Sequence, residues 1–217
     1  SSAASDVYKR QTDVYVRIID YKTGKKDFNI VKTYYGIDIQ LMVYMEAAMK
    51  LVAKMRPGKN VIPAGVFYYN ISDPIVSATT ESAEEIEDKI KGELRLKGMV
   101  NSDKDIAEKM DNTEGTSLNI PVSRKADGGF DSRRSKVMNT EQFNMLGRFV
   151  DVRAIDTADR IVGGDIRRSP YKDGQFSSCD RCPYGAVCGF SVDLPGCNYR
   201  KLKKFDDEVL WNNIKEG

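Results

Sequence analysis

With 217 residues, 41% of them hydrophobic and 30% charged, the chain has the size and make-up of one globular domain, or of one domain with an appended segment. Thirty-four basic residues stand against 32 acidic ones, so any basic surface must come from local clustering rather than bulk charge. Histidine is absent, which excludes a Ser–His–Asp triad, a Cys–His pair and a His-ligated zinc built from this chain. No apolar run approaches the ~18 residues that span a bilayer, and no stretch has the build of a signal peptide. A cytoplasmic protein with no membrane contact is expected.

In chain order, residues 1–11 come first and stand apart. Ser1 to Gln11 back-translates codon for codon into a common transposon-based sequencing adapter. The segment is read as an artefact of assembly and set aside, which makes the chain a fragment starting near Thr12. Residues 13–20 are β-branched and aromatic with partial alternation, a strand. Thr23 to Lys26 is a turn, and 28–32 reads as a short extension. A helix follows over 37–56, with so broad an apolar face that it should be packed on both sides. Arg56-Pro57-Gly58 stops it. Residues 61–71 read as a second strand, ended by Ser72-Asp73-Pro74. The acidic stretch 79–91 is a solvated helix or a mobile segment. Residues 94–100 alternate apolar and polar positions, and 103–110 form a small helix. Gly, Ser, Asp, Lys and Arg dominate 112–136, a loop or hairpin region. The clearest late helix is 140–162, with Phe143, Leu146, Phe149, Val150, Ile155, Ala158 and Ile161 on one face. Thr140 is its expected cap and Gly163-Gly164 its end. From 165 onward the chain is punctuated by Cys, Gly and Pro, and such a tail needs an external constraint to hold its shape. The segments divide as a truncated core over 12–175, with an insertion near 77–136, and a tail over 176–217.

Asp20-Tyr21-Lys22 stands at the end of the first strand. Side chains two apart point to one side of an extended chain, so a carboxylate and an ammonium face one small volume. A carboxylate there can hold Mg²⁺, while the ammonium orients a water and offsets charge in phosphodiester hydrolysis, without histidine. Gln40 and Tyr44 follow at i and i+4 on the next helix, polar groups on an otherwise apolar surface.

Ile18-Ile19-Asp20-Tyr21-Lys22-Thr23-Gly24 followed by Gln40-Leu41-Met42-Val43-Tyr44 resembles the later motifs of the RecB-type nucleases of the PD-(D/E)xK superfamily. The resemblance implies an α/β, restriction-endonuclease-like core, here partial. It implies that Asp20 binds Mg²⁺, Lys22 assists the water, and Gln40 and Tyr44 support the site and contact DNA. The carbonyl of Tyr21 is an additional metal ligand on this reading. These nucleases carry another metal-binding Asp just upstream, where the adapter-like residues stand; Asp13 lies too near the strand start to replace it. Loss of one carboxylate from a Mg²⁺ site with few protein ligands removes most of its affinity. The chain alone is therefore expected to be inactive.

All four cysteines, Cys179, Cys182, Cys188 and Cys197, fall in the tail with the spacing C-x2-C-x5-C-x8-C. Soft thiolates in an aperiodic segment suit zinc or iron–sulfur, with the metal supplying folding energy. Ser178-Cys179-Asp180-Arg181-Cys182-Pro183-Tyr184-Gly185-Ala186-Val187-Cys188 resembles the iron–sulfur segment of AddB-type nuclease domains. That implies a 4Fe–4S cluster held by Cys179, Cys182 and Cys188, with a fourth cysteine far upstream. Cys197 is then a non-ligating thiol; in a self-contained zinc site it would be the fourth ligand. Basic residues flank the tail (Arg167, Arg168, Lys172, Arg200, Lys201, Lys203, Lys204) and could meet phosphates, with Tyr171 stacking on a base. Arg133-Arg134 offers a smaller basic pair.

Together these resemblances imply the AddB-type component of an ATP-dependent helicase/deoxyribonuclease that resects double-strand DNA ends for recombinational repair. Its partners would be DNA and an AddA-type subunit in a heterodimer, with ATP bound outside this chain, which has no phosphate-binding Gly-x4-Gly-Lys-Ser/Thr loop. A stand-alone iron–sulfur exonuclease of the CRISPR-associated kind and a zinc-binding DNA-interaction module are the competing readings.

Overall fold

The computed structural model describes residues 4–9 (as backbone), 12–71 and 82–217. The turn expected at Ser72-Asp73-Pro74 and the start of the acidic stretch, 79–81, lie outside them.

Two strands organise everything else. β2 (Asp13–Lys22) and β3 (Asn60–Asn70) run parallel in the middle of a five-stranded sheet. β1 (Ala4–Lys9) pairs antiparallel with β2 from Ala4↔Ile19 to Lys9↔Val14. β4 (Lys97–Asn101) pairs antiparallel with β3, and β5 (Val137–Met138) parallel with β4. The order β1-β2-β3-β4-β5 brings the C-terminal ends of β2 and β3 and the N-terminal end of β4 to one edge of the sheet, with β5 entering from the same side further along β4.

Alternation along β2 explains its two faces. Val14, Val16 and Ile18 point into the main core, under α2 (Gln40–Met55) and α5 (Thr140–Val162). Asp20 and Lys22 continue the same row. Helix α2 packs on β2, β3 and α5, in agreement with its broad apolar surface. Leu41, Met42 and Met45 are its buried row, and Phe143, Leu146, Phe149 and Val150 are that of α5. The opposite face of the sheet carries a second core of Phe67, Val100, Ala107, Ile120 and Val122. Ala107 comes from α4 (Lys104–Met110), close to the expected helix. Ile120 and Val122 come from 112–136, which is a loop region with short antiparallel bridges, as expected, yet sends apolar residues into the core. Asp111 accepts from Ser117 Oγ at 2.6 Å and Asn119 Nδ2 at 2.9 Å, and Arg95 donates to the carbonyls of Ile120 and Val122.

Four further differences have local causes. Residues 28–32 are not extended: Asn29 accepts from the Lys32 amide and caps the short helix α1 (Ile30–Tyr34). The following helix starts at Gln40 rather than 37, because the amides of Ile37 and Asp38 turn back to the Lys32 carbonyl. The cap of α5 is Asn139, in a reciprocal box with Gln142, while Thr140 Oγ1 accepts from Asn101. Beyond Asp151 helix α5 outruns the elements it packs on. Ile155 is 63% and Ile161 71% exposed, so they do not share the buried face of Phe143.

The acidic stretch forms α3 (Ala83–Leu94), solvated throughout and started by a Ser82–Glu85 capping box. The tail builds a small sheet, β6 (Tyr171–Asp173) between β7 (Phe176–Ser177) and β8 (Arg200–Lys201), with one helical turn α6 (Gly185–Cys188). The last helix, α7 (Asp207–Glu216), was not foreseen; its Leu210 and Ile214 return to the main core. Among the described residues no helix is long and apolar enough to cross a membrane.

Candidate active site

The polar end of the β2 row is where the sheet stops being hydrophobic and stays buried. Asp20 is fully inaccessible, and both carboxylate oxygens lack a hydrogen-bond donor. Lys22 Nζ lies 2.8 Å from Asp20 Oδ2, an ion pair whose angle is too poor for a directed hydrogen bond. The same ammonium donates to Gln40 Oε1 at 2.8 Å, and Gln40 Nε2 donates to the Tyr44 hydroxyl at 3.0 Å. One turn of α2 separates Gln40 from Tyr44, so the helix holds Gln40 and the amide fixes the lysine. All four residues singled out by pattern are thus brought into one connected row.

Tyr21 points to the other side of the strand, its ring edge-on to Tyr69 at 5.7 Å. The Lys22 carbonyl accepts from the Ile71 amide. Alternation therefore turns the Tyr21 carbonyl away from β3, past the last β1 pair at Ala4↔Ile19. Asp13 sits at the opposite end of β2, beside Asn60, roughly 23 Å from Asp20 at strand rise. It has no part in the site, as its position in the sequence implied.

Three residues of the site were missed by pattern. Lys26 Nζ lies 2.5 Å from Asp38 Oδ1, forming a second ion pair next to the first. Tyr68, the register partner of Asp20 on β3, lies beneath both, with Lys22 Nζ 5.5 Å and Lys26 Nζ 5.8 Å from its ring centre. Burial, reinforced by the negative charges of Asp38 and Asp20, pushes the Tyr68 phenol far above its ordinary range, so it stays a neutral hydroxyl. The available signal for Tyr68 was its strand alternation opposite Asp20. Asp38 was hidden inside a helix expected to begin at residue 37.

Residues 6–189 match the PD-(D/E)XK nuclease superfamily. The chain belongs to that superfamily. The mixed α/β architecture agrees, and the nuclease motif Asp20-Tyr21-Lys22 lies within the matched span. At 35% identity over 213 residues, the chain is similar to the B-type subunit of the ATP-dependent helicase/deoxyribonuclease of Thermoanaerobacter sp. (strain X514), covering 97% of this chain and 18% of that protein. The same subunit of Lachnoclostridium phytofermentans is 36% identical over 221 residues, covering 97% of this chain and 19% of that protein. That of Clostridium botulinum (strain Hall) is 38% identical over 213 residues, with shares of 97% and 18%. The chain therefore spans less than a fifth of the length of these relatives.

The second predicted site of this nuclease-family chain is less assembled. All four cysteines are free, Cys182 exposed and the others half-buried. The Cys182 amide donates to the Cys179 carbonyl, closing the C-x2-C turn. The thiols have the right chemistry for zinc or iron–sulfur. Yet among the described residues no three His, Cys, Asp or Glu side chains are gathered closely enough to hold a metal ion. Several flanking basic residues serve the tail itself. Arg167 pairs with Asp165 at 2.6 Å, and Arg168 donates to the carbonyls of Cys188 and Gly189. Arg200 donates to Ser169, Lys172 lies over the Tyr199 ring, and Tyr171 packs against Phe176.

Proposed function

We propose that this chain carries the strand-cutting site of a DNA exonuclease, within a subunit that processes double-strand breaks for recombinational repair beside an AddA-type partner. The observation that carries this reading is the Asp20 carboxylate, fully buried, ion-paired to Lys22 and with no hydrogen bond on either oxygen, so that both oxygens keep lone pairs for a second cation. Such a group is costly unless a cation completes it. Its donor chemistry fits Mg²⁺, with the Tyr21 carbonyl as a second oxygen ligand. Bound there, Mg²⁺ would supply Lewis acidity toward the phosphodiester and a more acidic water.

The protein's own contribution is positional. One of the three Lys22 protons is directed at Gln40 while the ammonium stays ion-paired to Asp20, which leaves donors for a substrate oxygen or the attacking water. Gln40 and Tyr44 restrain that ammonium, and neutral Tyr68 forms the floor under it. In the intact protein, Asp20→Asn should lower cleavage by at least about 10³-fold. It should also abolish the heat of Mg²⁺ binding while leaving the fold intact. Cleavage and Mg²⁺ binding as in wild type would remove Asp20 from the site. We further infer that the 217 residues alone are inactive, and that restoring an upstream Gly-x-x-Asp segment restores Mg²⁺-dependent cutting. Cleavage by the unextended chain would refute that.

The tail is proposed to hold a 4Fe–4S cluster through Cys179, Cys182 and Cys188, with the fourth ligand outside this chain. The half-buried Cys197 favours one second reading, a four-cysteine zinc module. Metal content and an anaerobic absorption spectrum decide between them. Iron, sulfide and absorbance near ~400 nm support the cluster; one zinc retained by this chain supports the module. The helicase-linked relatives cover nearly the whole chain, which favours the helicase-linked reading over a stand-alone exonuclease.

A further inference from the structure

The insertion between α4 and α5 ends in a turn, 131–136, that is fixed and basic. Asp131 Oδ1 accepts from the amides of Arg133 at 2.8 Å and Arg134 at 3.2 Å, and its carbonyl accepts from Ser135. Ser135 Oγ and the Ser123 backbone bond each other in both directions. The backbone is thus used up internally, while both arginines are exposed, with no acidic partner among the described residues. Below the turn, Ile120 and Val122 anchor the lobe in the second core.

The location of the turn follows from strand polarity. β5 begins one residue after Lys136, on the register row of Val100, Gly65 and Arg17, and the chain entering it comes from the side on which β2 finishes. Lys136 Nζ bonds Asp27 at 2.5 Å across 109 residues, docking the turn onto the loop that leaves β2. Asp27 adjoins Lys26, and Lys26 shares the Tyr68 ring with Lys22, which is paired to Asp20. Of the charged residues in the turn, Arg133, Arg134 and Lys136 are positive, and the one negative residue, Asp131, is turned inward on backbone amides.

We propose that this turn is a phosphate-binding clamp, with Arg133 and Arg134 gripping the backbone of the same nucleic-acid strand whose scissile phosphate enters the Asp20–Lys22 site. The inference rests on the nuclease reading and adds a function for the insertion. Guanidiniums bind phosphate oxygens in a two-pronged way, and a pre-fixed turn loses little entropy in doing so. The partner is a single strand, read by charge and not by base.

The test is fluorescence anisotropy of a labelled single-stranded oligonucleotide with the 217-residue chain, in chelator so that nothing is cut, over a range of salt. Arg133→Glu/Arg134→Glu should weaken binding at least about tenfold and lower the slope of log affinity against log salt by about 1.4, or ~0.7 for each phosphate no longer neutralised. Melting should be unchanged, because both side chains are exposed. Lys201→Glu/Lys203→Glu in the tail, changed equally in charge, should lose less affinity. An unchanged affinity and slope in the turn variant, an equal loss in the tail variant, or no binding by the wild-type chain would each overturn the clamp. The nuclease reading stands or falls separately, on Mg²⁺ binding by Asp20→Asn.

Discussion

The sheet and the cysteine tail belong to one chain but are held together by different means. In the sheet, the inner rows of β2, β3, α2 and α5 are buried almost without interruption. Between Asp165 and Lys204 only Ser177 is buried. Tyr184 and Val187, which in a core would be covered, are 69% and 82% exposed. Local hydrogen bonds and charge pairs shape the tail, and few ties join it to the sheet: Lys32 to Asp173 at 3.3 Å and the Lys203 amide to the Tyr35 hydroxyl at 2.9 Å. Exposed pairs of this kind contribute about 0–1 kcal/mol each. Apolar burial is enough for the sheet, whereas the tail lacks it and carries four thiols instead.

The comparison is sharpened most by Gly98→Ala. A Cβ at Gly98 would lie 1.9 Å from the Val66 carbonyl oxygen, a backbone atom that cannot move without breaking the β3–β4 pairing. A loss of about 3 kcal/mol or more is expected in denaturant unfolding. Gly185→Ala in the tail meets nothing within 4 Å and should change stability by less than about 0.5 kcal/mol. Equal effects would mean that the two regions are not held differently.

Asp111 gives the next largest effect and a pH signature. Burial pushes its carboxyl up, but hydrogen bonds from Ser117, Thr113 and Asn119 outweigh this and hold it at about 2. A folded pKa below the unfolded value of about 3.9 stabilises the protein above that pH, and the gain is lost as pH falls through about 2. Asp111→Ala should therefore cost about 2 kcal/mol at neutral pH. It should also flatten the loss of stability between about pH 4 and pH 2. An unchanged acid limb would show that the insertion is not organised by this carboxylate.

Legibility in the sequence followed the same divide. The β2 strand, the α2 and α5 helices and the row Asp20, Lys22, Gln40 and Tyr44 were readable, because periods of two and of three to four place them without knowledge of the rest of the fold. The core contribution of the 112–136 loop was not. Ile120 and Val122 are isolated apolar residues among Gly and Ser, and only the sheet face they meet makes them core. Helix α7 was hidden for a related reason: Leu210 and Ile214 form a short stripe that becomes core only against helix α5, far away in the chain. Lys26 and Asp38 were missed because a turn, set by amides folding back on Lys32, decides where α2 begins.

The smallest expected effect is the one that best separates the two regions. If the tail is shaped by bound metal or cluster rather than by burial, Cys182→Ser/Cys188→Ser should leave the unfolding midpoint of the sheet within about 0.5 kcal/mol of wild type. The same change should speed proteolytic cutting within 165–204, where backbone is exposed and opening is local. The two readouts together are decisive, because each tests one side of the contrast. A shift of several kcal/mol would mean that the tail unfolds with the sheet. The ties at Lys32 and Lys203 would then transmit more than exposed pairs ordinarily do. Unchanged proteolysis would mean that hydrogen bonds such as Arg168 to Cys188 and Gly189 suffice to shape the tail without its thiols.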